Sequence, residues 1–167
     1  MACSHPFKGQ IKLVSGSQRK TVLNFDLPVK EASFSDFLMC SHSKLKLTKE
    51  EKRELSLDHR KIIQQYQSLD PKTLLEYVEE FVSALPETSK DVKVSSQDFG
   101  SYICLSAISM GKIPKTINIS FDLTDAPTGL VPLKLSKKLG QKNISVNFHY
   151  SEDSWVAPFK ALYKAAA

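Results

Sequence analysis

Four segments rich in apolar residues follow one another in the second half of the chain: SYICLSAISM (101–110), KTINISFDLTD (115–125), GLVPLKL (129–135) and KNISVNFHY (142–150). In the second segment every other residue from Ile117 to Leu123 is apolar, and the fourth repeats this alternation from Ile144 to Tyr150. Period two is typical of a strand with one buried and one solvated face. Gly and Pro residues between the segments favour turns. We therefore predict a ladder of four strands.

The first half of the chain predicts a hairpin followed by helices. The stretches 10–14 and 20–25 are short strands joined by SGSQR, a turn of the kind that connects antiparallel strands. Thr48 and Glu51 fit a capping box, so a helix is expected from Thr48 to about Tyr66. A second helix is expected after an Asp cap and a Pro at the first helical position, from Asp70 to Pro86.

These elements predict the fold class α+β. We expect a mainly antiparallel sheet, built from the N-terminal hairpin and the C-terminal strand ladder and covered by two or three helices from the middle of the chain. A chain of 167 residues is long enough to bury its own core, and no linker divides it. One globular domain spanning residues 1–167 is therefore expected.

The composition is that of a soluble globular protein. Apolar residues make up 41% of the chain and charged residues 25%, and no apolar run is long enough to cross a bilayer. The N-terminus lacks a charged leader followed by an apolar stretch, which predicts an intracellular protein. Cys3, Cys40 and Cys104 are odd in number and without CxxC spacing, so reduced thiols are expected.

The histidines form no catalytic or metal-binding pattern. They are isolated from one another and from the cysteines, at His5, His42, His59 and His149. His59 reads either as a general base or as part of a solvated helix face, and we favour the solvated face. His149 reads either as a contact for a polyanion or as an ordinary surface residue, and we favour the latter.

Asp122 and Asp125 are the candidates for a carboxylate pair, which could bind a divalent metal or share acid/base work. Residues three apart on a strand point to opposite faces, so we favour a strand-end turn at Asp125. No GxGxxG or GxxxxGK[ST] phosphate loop occurs. We expect a protein that is not an enzyme and that has no cofactor, metal or small-molecule substrate.

Basic residues are the positive functional signal in the sequence. The net charge is +5 and the pI about 9.0, which suits contact with nucleic acid or an anionic membrane. Phe148 and Tyr150 share the apolar phase of their strand and are expected in the core rather than stacked on bases. The alternative for the basic residues is a solvated face. The candidate contact residues are Lys134, Lys137, Lys138, Lys142, Arg19 and Lys20.

The order of segments from Phe99 to Trp155 resembles the core of the thirty-kilodalton superfamily of plant-virus movement proteins. In that superfamily a strand ending in a Leu-x-Asp element follows a Gly- or Pro-marked turn, and Leu123, Thr124 and Asp125 occupy that place here. The resemblance implies a non-enzymatic viral protein that binds single-stranded RNA or DNA cooperatively and associates with host membranes at plasmodesmata.

Two other classes of function stay open. A small basic protein rich in β-structure suits a virion matrix or capsid component, which self-associates and contacts an anionic membrane or nucleocapsid. A cellular adaptor domain would instead receive a partner peptide on its helix pair. We expect a self-associating protein that binds single-stranded nucleic acid, with these two classes as alternatives.

Overall fold

The structure is a computed structural model that describes residues 6–16, 19–29, 57–87, 89–131, 141–152 and 154–156. The strands are β1 (Lys8–Ser15), β2 (Arg19–Asp26), β3 (Ser89–Gln97), β4 (Ile117–Thr124) and β5 (Ile144–His149). The helices are α1 (Leu57–Gln67), α2 (Pro71–Ser83) and α3 (Phe99–Ser109), and a short 3-10 helix covers Thr128–Leu130.

The five strands form one sheet in the order β2-β1-β3-β4-β5. The α+β class is therefore confirmed. The expectation of a mainly antiparallel sheet is wrong, because β1 is antiparallel to β2 and β3, whereas β3, β4 and β5 run parallel. The physical reason is α3, which carries the chain back along the sheet so that β4 starts at the same end as β3. The sheet is mixed.

The segment SYICLSAISM is a helix, so the prediction of a strand there is wrong. All eleven residues of α3 are buried, between α2 on one side and β1 and β3 on the other. A helix buried on every side has no polar face and therefore no helical period in its sequence. A mostly apolar run of this kind, interrupted by small residues, does not distinguish a buried helix from a buried strand.

Strand β3 was not predicted, although Val92 and Val94 alternate with polar residues within it. The third segment of the expected ladder does not begin as a strand, since Thr128–Leu130 forms the 3-10 helix. The remainder of that segment, from residue 132 onward, lies outside the described residues.

Several local predictions are confirmed. β1 and β2 pair as a hairpin, and β4 and β5 occupy the expected alternating segments. α2 begins where expected, because the Asp70 carboxylate accepts a hydrogen bond from the Lys72 backbone N–H at 3.2 Å and Pro71 follows the cap. The expected start of the first helix at Thr48 lies outside the described residues, and the described part begins at Leu57.

One face of the sheet packs on the helices and forms the core. Its side chains alternate with polar ones along each strand, as in β4, where Ile117, Ile119, Phe121 and Leu123 are buried and the residues between them are exposed. Phe81 of α2 packs on Phe121 with ring centroids 6.4 Å apart. The opposite face of the sheet carries the polar residues.

Candidate functional site

The sheet face that points away from α2 and α3 is polar and exposed, and we call it the open face. Cross-strand partners in a sheet project from the same face. One row of partners across it is Val22, Lys12, Ser95, Asp122 and Asn147. The next row is Lys20, Val14, Lys93, Ser120 and Ser145. These rows are exposed across all five strands except at Val14, which is partly buried.

The positive charges of the two rows lie on the three neighbouring strands β2, β1 and β3. Lys12, Lys20 and Lys93 are exposed there, while Asp122 is the acidic residue of the two rows and lies on β4. Lys20 of β2 and Lys93 of β3 are the cross-strand partners of Val14, which lies between them on β1. The strands β2 and β3 are therefore about 10 Å apart. The three lysines therefore form a triangle wide enough for more than one phosphate.

A shallow hollow of about 220 Å³ opens beside this triangle. Its lining is polar and includes one cation, Lys12 of β1. The other lining residues are Gln10, Ser95, Ser96, Gln97 and Thr124. The hollow therefore offers hydrogen-bonding groups on the open face, near the carboxyl ends of β3 and β4.

Asp122 and His149 are neighbours at the surface of the open face. The Asp122 Oδ1 lies 3.4 Å from both the His149 Nε2 and the Asn147 Nδ2. Side-chain exposures of 60% and 59% leave the Asp122–His149 pair in solvent, where such pairs contribute little. His149 is thus a surface residue, as favoured from the sequence.

Asp122 and Asp125 do not form a carboxylate pair. Asp125 is buried in the turn that ends β4, and its carboxylate accepts hydrogen bonds from the Ser151 N–H at 2.9 Å and the Ser151 hydroxyl at 2.7 Å. Asp122 is exposed on the other side of the strand. Among the described residues, no group of three or more His, Cys, Asp or Glu side chains is placed to hold a metal ion.

The turn between β3 and α3 has an unusual backbone conformation. Asp98 alone makes this turn, with φ 49° and ψ −115°. A non-glycine residue in such a conformation costs about 1–3 kcal/mol, which the surroundings must offset. The Asp98 N–H donates to the Thr124 carbonyl at 3.0 Å, and the Asp98 carbonyl accepts from the Tyr102 N–H at 3.1 Å. The carboxylate Oδ1 accepts from the Trp155 Nε1 at 3.2 Å.

Small residues on both sides of Asp98 let α3 approach the sheet. A Cβ added to Gly9 of β1 would lie nearer to the Gly100 backbone than the 3.0 Å that real Cβ atoms keep. A Cβ on Gly100 would meet the Ser96 hydroxyl in the same way. The first turn of α3 therefore rests directly on the backbone of β1.

An aromatic cluster surrounds the Asp98 turn. The Tyr66 ring lies with its centroid 5.0 Å from Tyr102, 5.3 Å from Trp155 and 5.8 Å from Phe99. Burial raises the pKa of Tyr66 well above its usual value, and the negative charge of Asp98 raises it further. Burial also raises the pKa of Tyr102 to about 12. Both phenols are therefore neutral in the folded protein at ordinary pH.

The structure does not bring the described members of the predicted contact set together. Lys20 is exposed on β2, and Arg19 is the residue at which β2 begins. Lys142 is exposed in the turn before β5, at the other end of the strand order. Lys134, Lys137 and Lys138 lie outside the described residues. Phe148 and Tyr150 are partly buried against the core, as expected.

The contact set predicted from the sequence does not include Lys12 or Lys93, and Asp98 is not among the candidate residues predicted from the sequence. Lys12 and Lys93 occupy polar phases of alternating strands, so a prediction of β3 would have placed them on one face. The sequence does contain a signal for the turn at Asp98. Small residues, Ser96 and Gly100, lie two places before and after Asp98, which follows a stretch of alternating apolar and polar residues.

Comparison with protein-family models, with curated proteins and with solved structures finds no match for this chain. Within the described ranges, no helix has the length and apolar character needed to cross a membrane. The features that distinguish the chain are the open face and the strained turn at Asp98.

Proposed function

We propose that the protein binds single-stranded nucleic acid through the open face of its sheet. The observation that carries this proposal is the triangle of exposed lysines at Lys12, Lys20 and Lys93. Sheet faces serve as platforms for single strands in modules such as the RRM. The movement-protein resemblance supports the same class of ligand.

The chemistry of the open face favours contacts to phosphate over contacts to bases. Base stacking needs exposed aromatic rings, and the two described rows of the open face contain none. Lysine ammonium groups instead neutralise phosphates, and binding then releases counterions. We therefore expect binding that tolerates different sequences and weakens with salt.

The salt dependence has a definite size. Each phosphate contact to a single strand contributes about 0.7 to the slope of log affinity against log salt, so three lysines contribute about 2. Raising salt fourfold should therefore weaken this part of the binding by about fifteen- to twentyfold. Lys134, Lys137, Lys138, Lys142 and Arg19 remain proposed contacts that would add to this slope.

Self-association belongs to the same proposal. β2 and β5 are the outer strands of the described sheet, and an outer strand can pair with another copy of the chain. Pairing would line up open faces along one strand of nucleic acid and give the cooperative binding that the resemblance implies. Light scattering with and without an oligonucleotide measures this directly, and a monomer under both conditions would contradict it.

Fluorescence anisotropy with a labelled single-stranded oligonucleotide at two salt concentrations tests the proposed ligand. The test variant carries K12E, K20E and K93E on the open face. The matched control carries the same change of charge at exposed positions away from it, as K61E, K72E and K112E. The proposal predicts that the test variant loses most of its affinity and about 2 units of salt slope, while the control keeps the slope.

Two outcomes would overturn the proposal. Equal losses in the test and control variants would show that net charge matters and the open face does not. Sedimentation of the parent with anionic vesicles, without binding to the oligonucleotide, would favour the matrix or membrane class instead. An adaptor domain would bind neither ligand.

A further inference from the structure

The free edge of β2 offers backbone hydrogen-bonding groups to another strand. Successive residues of an antiparallel strand direct their N–H and C=O groups alternately to one side and the other. The N–H of Leu27, directly after β2, donates to the Phe7 carbonyl at 2.7 Å, so the odd-numbered residues of β2 bond to β1. The even-numbered residues therefore direct their backbone groups away from the sheet, and they are Lys20, Val22, Asn24 and Asp26.

The Asp26 carbonyl has the outward orientation that this pattern requires. It accepts a hydrogen bond from the Tyr77 hydroxyl of α2 at 3.1 Å, outside the β1–β2 ladder. A carbonyl oxygen has two lone pairs, so it can also accept from a further strand. The outward backbone groups of Lys20, Val22 and Asn24 have no hydrogen-bond partner among the described residues. The edge is therefore available for pairing.

β2 lacks the features that commonly keep an edge strand from pairing, which are shortness, bulges, proline and charges along the strand. It pairs with β1 over all 8 of its residues without a register shift. The two outward residues in its middle, Val22 and Asn24, are uncharged, and Val22 is 41% exposed. The other outer strand, β5, has 6 residues and contains neither an acidic residue nor a lysine, so opposite charges cannot set a register there.

We infer that β2 pairs with β2 of a second copy of the chain, in antiparallel direction and about a two-fold axis at Leu23. In this register Lys20 lies opposite Asp26 of the second copy, and the symmetry repeats the pair. Both side chains are exposed on the open face, and opposite charges at directly opposed positions stabilise a strand pair. Val22 lies opposite Asn24, so every outward residue of one β2 faces an outward residue of the other.

Neighbouring registers lose these contacts. A shift of two residues in one direction places Pro28, which has no N–H, opposite Lys20. A shift of two residues in the other direction places Lys20 opposite Asn24 and moves Asp26 beyond the start of the opposing β2. A shift of one residue reverses which side chains meet on each face. The register with its axis at Leu23 is therefore favoured.

This inference rests on the self-association proposed above and specifies its edge and its register. The paired molecules would share one sheet of ten strands, five from each copy. Cross-strand partners project from the same face, so the two open faces join on one side of the sheet. One strand of nucleic acid can then contact the lysine triangles of both copies.

Sedimentation equilibrium of the full chain, without nucleic acid, tests the charge pairs. D26K and K20D each place like charges opposite one another twice in the dimer, so each should weaken dimerisation by about tenfold or more. The K20D/D26K double variant exchanges the two charges and should restore dimerisation. D122K and K93D are the matched controls, because they make the same changes of charge on the open face of inner strands and should leave dimerisation unchanged.

Disulfide formation tests the register. Leu23 of one copy lies opposite Leu23 of the other, so mild oxidation of an L23C variant should join two chains through residue 23. A V22C variant should react more slowly, because Val22 is opposite Asn24. Mass spectrometry of the linked peptides separates these disulfides from any formed by Cys3, Cys40 or Cys104.

The possible results separate this inference from the proposals on which it builds. A parent protein that stays monomeric at every concentration and with an oligonucleotide would overturn both the β2 pairing and self-association. A parent dimer that D26K and K20D leave intact, that K20D/D26K fails to restore, or that links faster through V22C than through L23C would overturn only the β2 pairing. Binding of the oligonucleotide is measured separately and stands or falls with the open-face lysines.

Discussion

Replacing Gly9 by alanine should destabilise the fold strongly, because the new methyl group would collide with the backbone of α3. The added Cβ would lie inside the 3.0 Å limit of the Gly100 nitrogen and Cα and of the Phe99 carbonyl carbon. These are backbone atoms, so no rotamer change can relieve the contact. Overpacking in a core costs about 1–3 kcal/mol, and a rigid backbone contact belongs at the upper end of that range.

The magnitude can be judged against the stability of a domain of this size. A loss of about 3 kcal/mol is a large part of the roughly 5–15 kcal/mol that holds a typical domain together. To avoid the collision, α3 must move off β1, and all eleven of its residues are buried. The G9A variant should therefore either unfold at much lower denaturant or fail to fold.

Guanidinium unfolding followed by tryptophan fluorescence measures this loss. Trp155 is the single tryptophan of the chain, is 6% exposed and donates a hydrogen bond to Asp98, so its emission reports on the region where α3 begins. The control is G16A. Gly16 has φ +64° but no atom within 4 Å of an added Cβ, so only a backbone cost of about 1–2 kcal/mol is expected. A G9A variant as stable as G16A would refute the close approach of α3 to β1.

Three further predictions follow from the same region. G100A should lower the free energy of unfolding by about 1–3 kcal/mol, because the new Cβ collides with the Ser96 hydroxyl. Adding S96A should restore part of this stability, because the nearest atoms to the Cβ are then 3.2 Å away. Additive effects of the two substitutions in a double-mutant cycle would contradict this. D125A should cost about 2–3 kcal/mol in thermal melts, because it removes two hydrogen bonds from Ser151 to a buried carboxylate, and an unchanged melting temperature would refute it. Stability should fall as the pH rises from 10 to about 12, because in this range the unfolded chain releases the Tyr102 proton while the folded protein keeps it. A Y102F variant should show a weaker fall across the same pH range.

The elements that the sequence predicts correctly are those with local signals. Apolar and polar residues alternate in β4 and β5 because one face of the sheet is exposed. The start of α2 is marked by the Asp70 cap and by Pro71 at the first helical position. The hairpin of β1 and β2 is encoded by its turn. In each case the pattern lies within a short stretch of chain, so no knowledge of distant contacts is needed.

The parallel half of the sheet has no such local signal. Alternation in β3 or β4 reports which face is buried and does not report the direction of the neighbouring strand. Direction depends on α3, whose apolar sequence from Phe99 to Ser109 reads equally well as a strand because every side of the helix is buried. Interpreting this segment as a strand therefore leads to the prediction of an antiparallel ladder.

The candidate sites escaped prediction for related reasons. Lys12 and Lys93 are far apart in sequence and lie on the same face of neighbouring strands because β1 and β3 pair. Asp98 has no property in sequence that demands its backbone angles. Those angles result from Gly9, Ser96 and Gly100, which permit α3 to start one residue after β3. Tertiary contacts therefore create both features.

The proposed binding face is tested most directly by lysine footprinting. The protein is acylated briefly with and without a saturating single-stranded oligonucleotide, and modification of each lysine is measured by mass spectrometry. We predict protection of Lys12, Lys20 and Lys93, with no change at Lys61 and Lys72 on the helices. The same digest reports on Lys134, Lys137, Lys138 and Lys142. Oligonucleotide binding without protection of the open-face lysines would contradict the account.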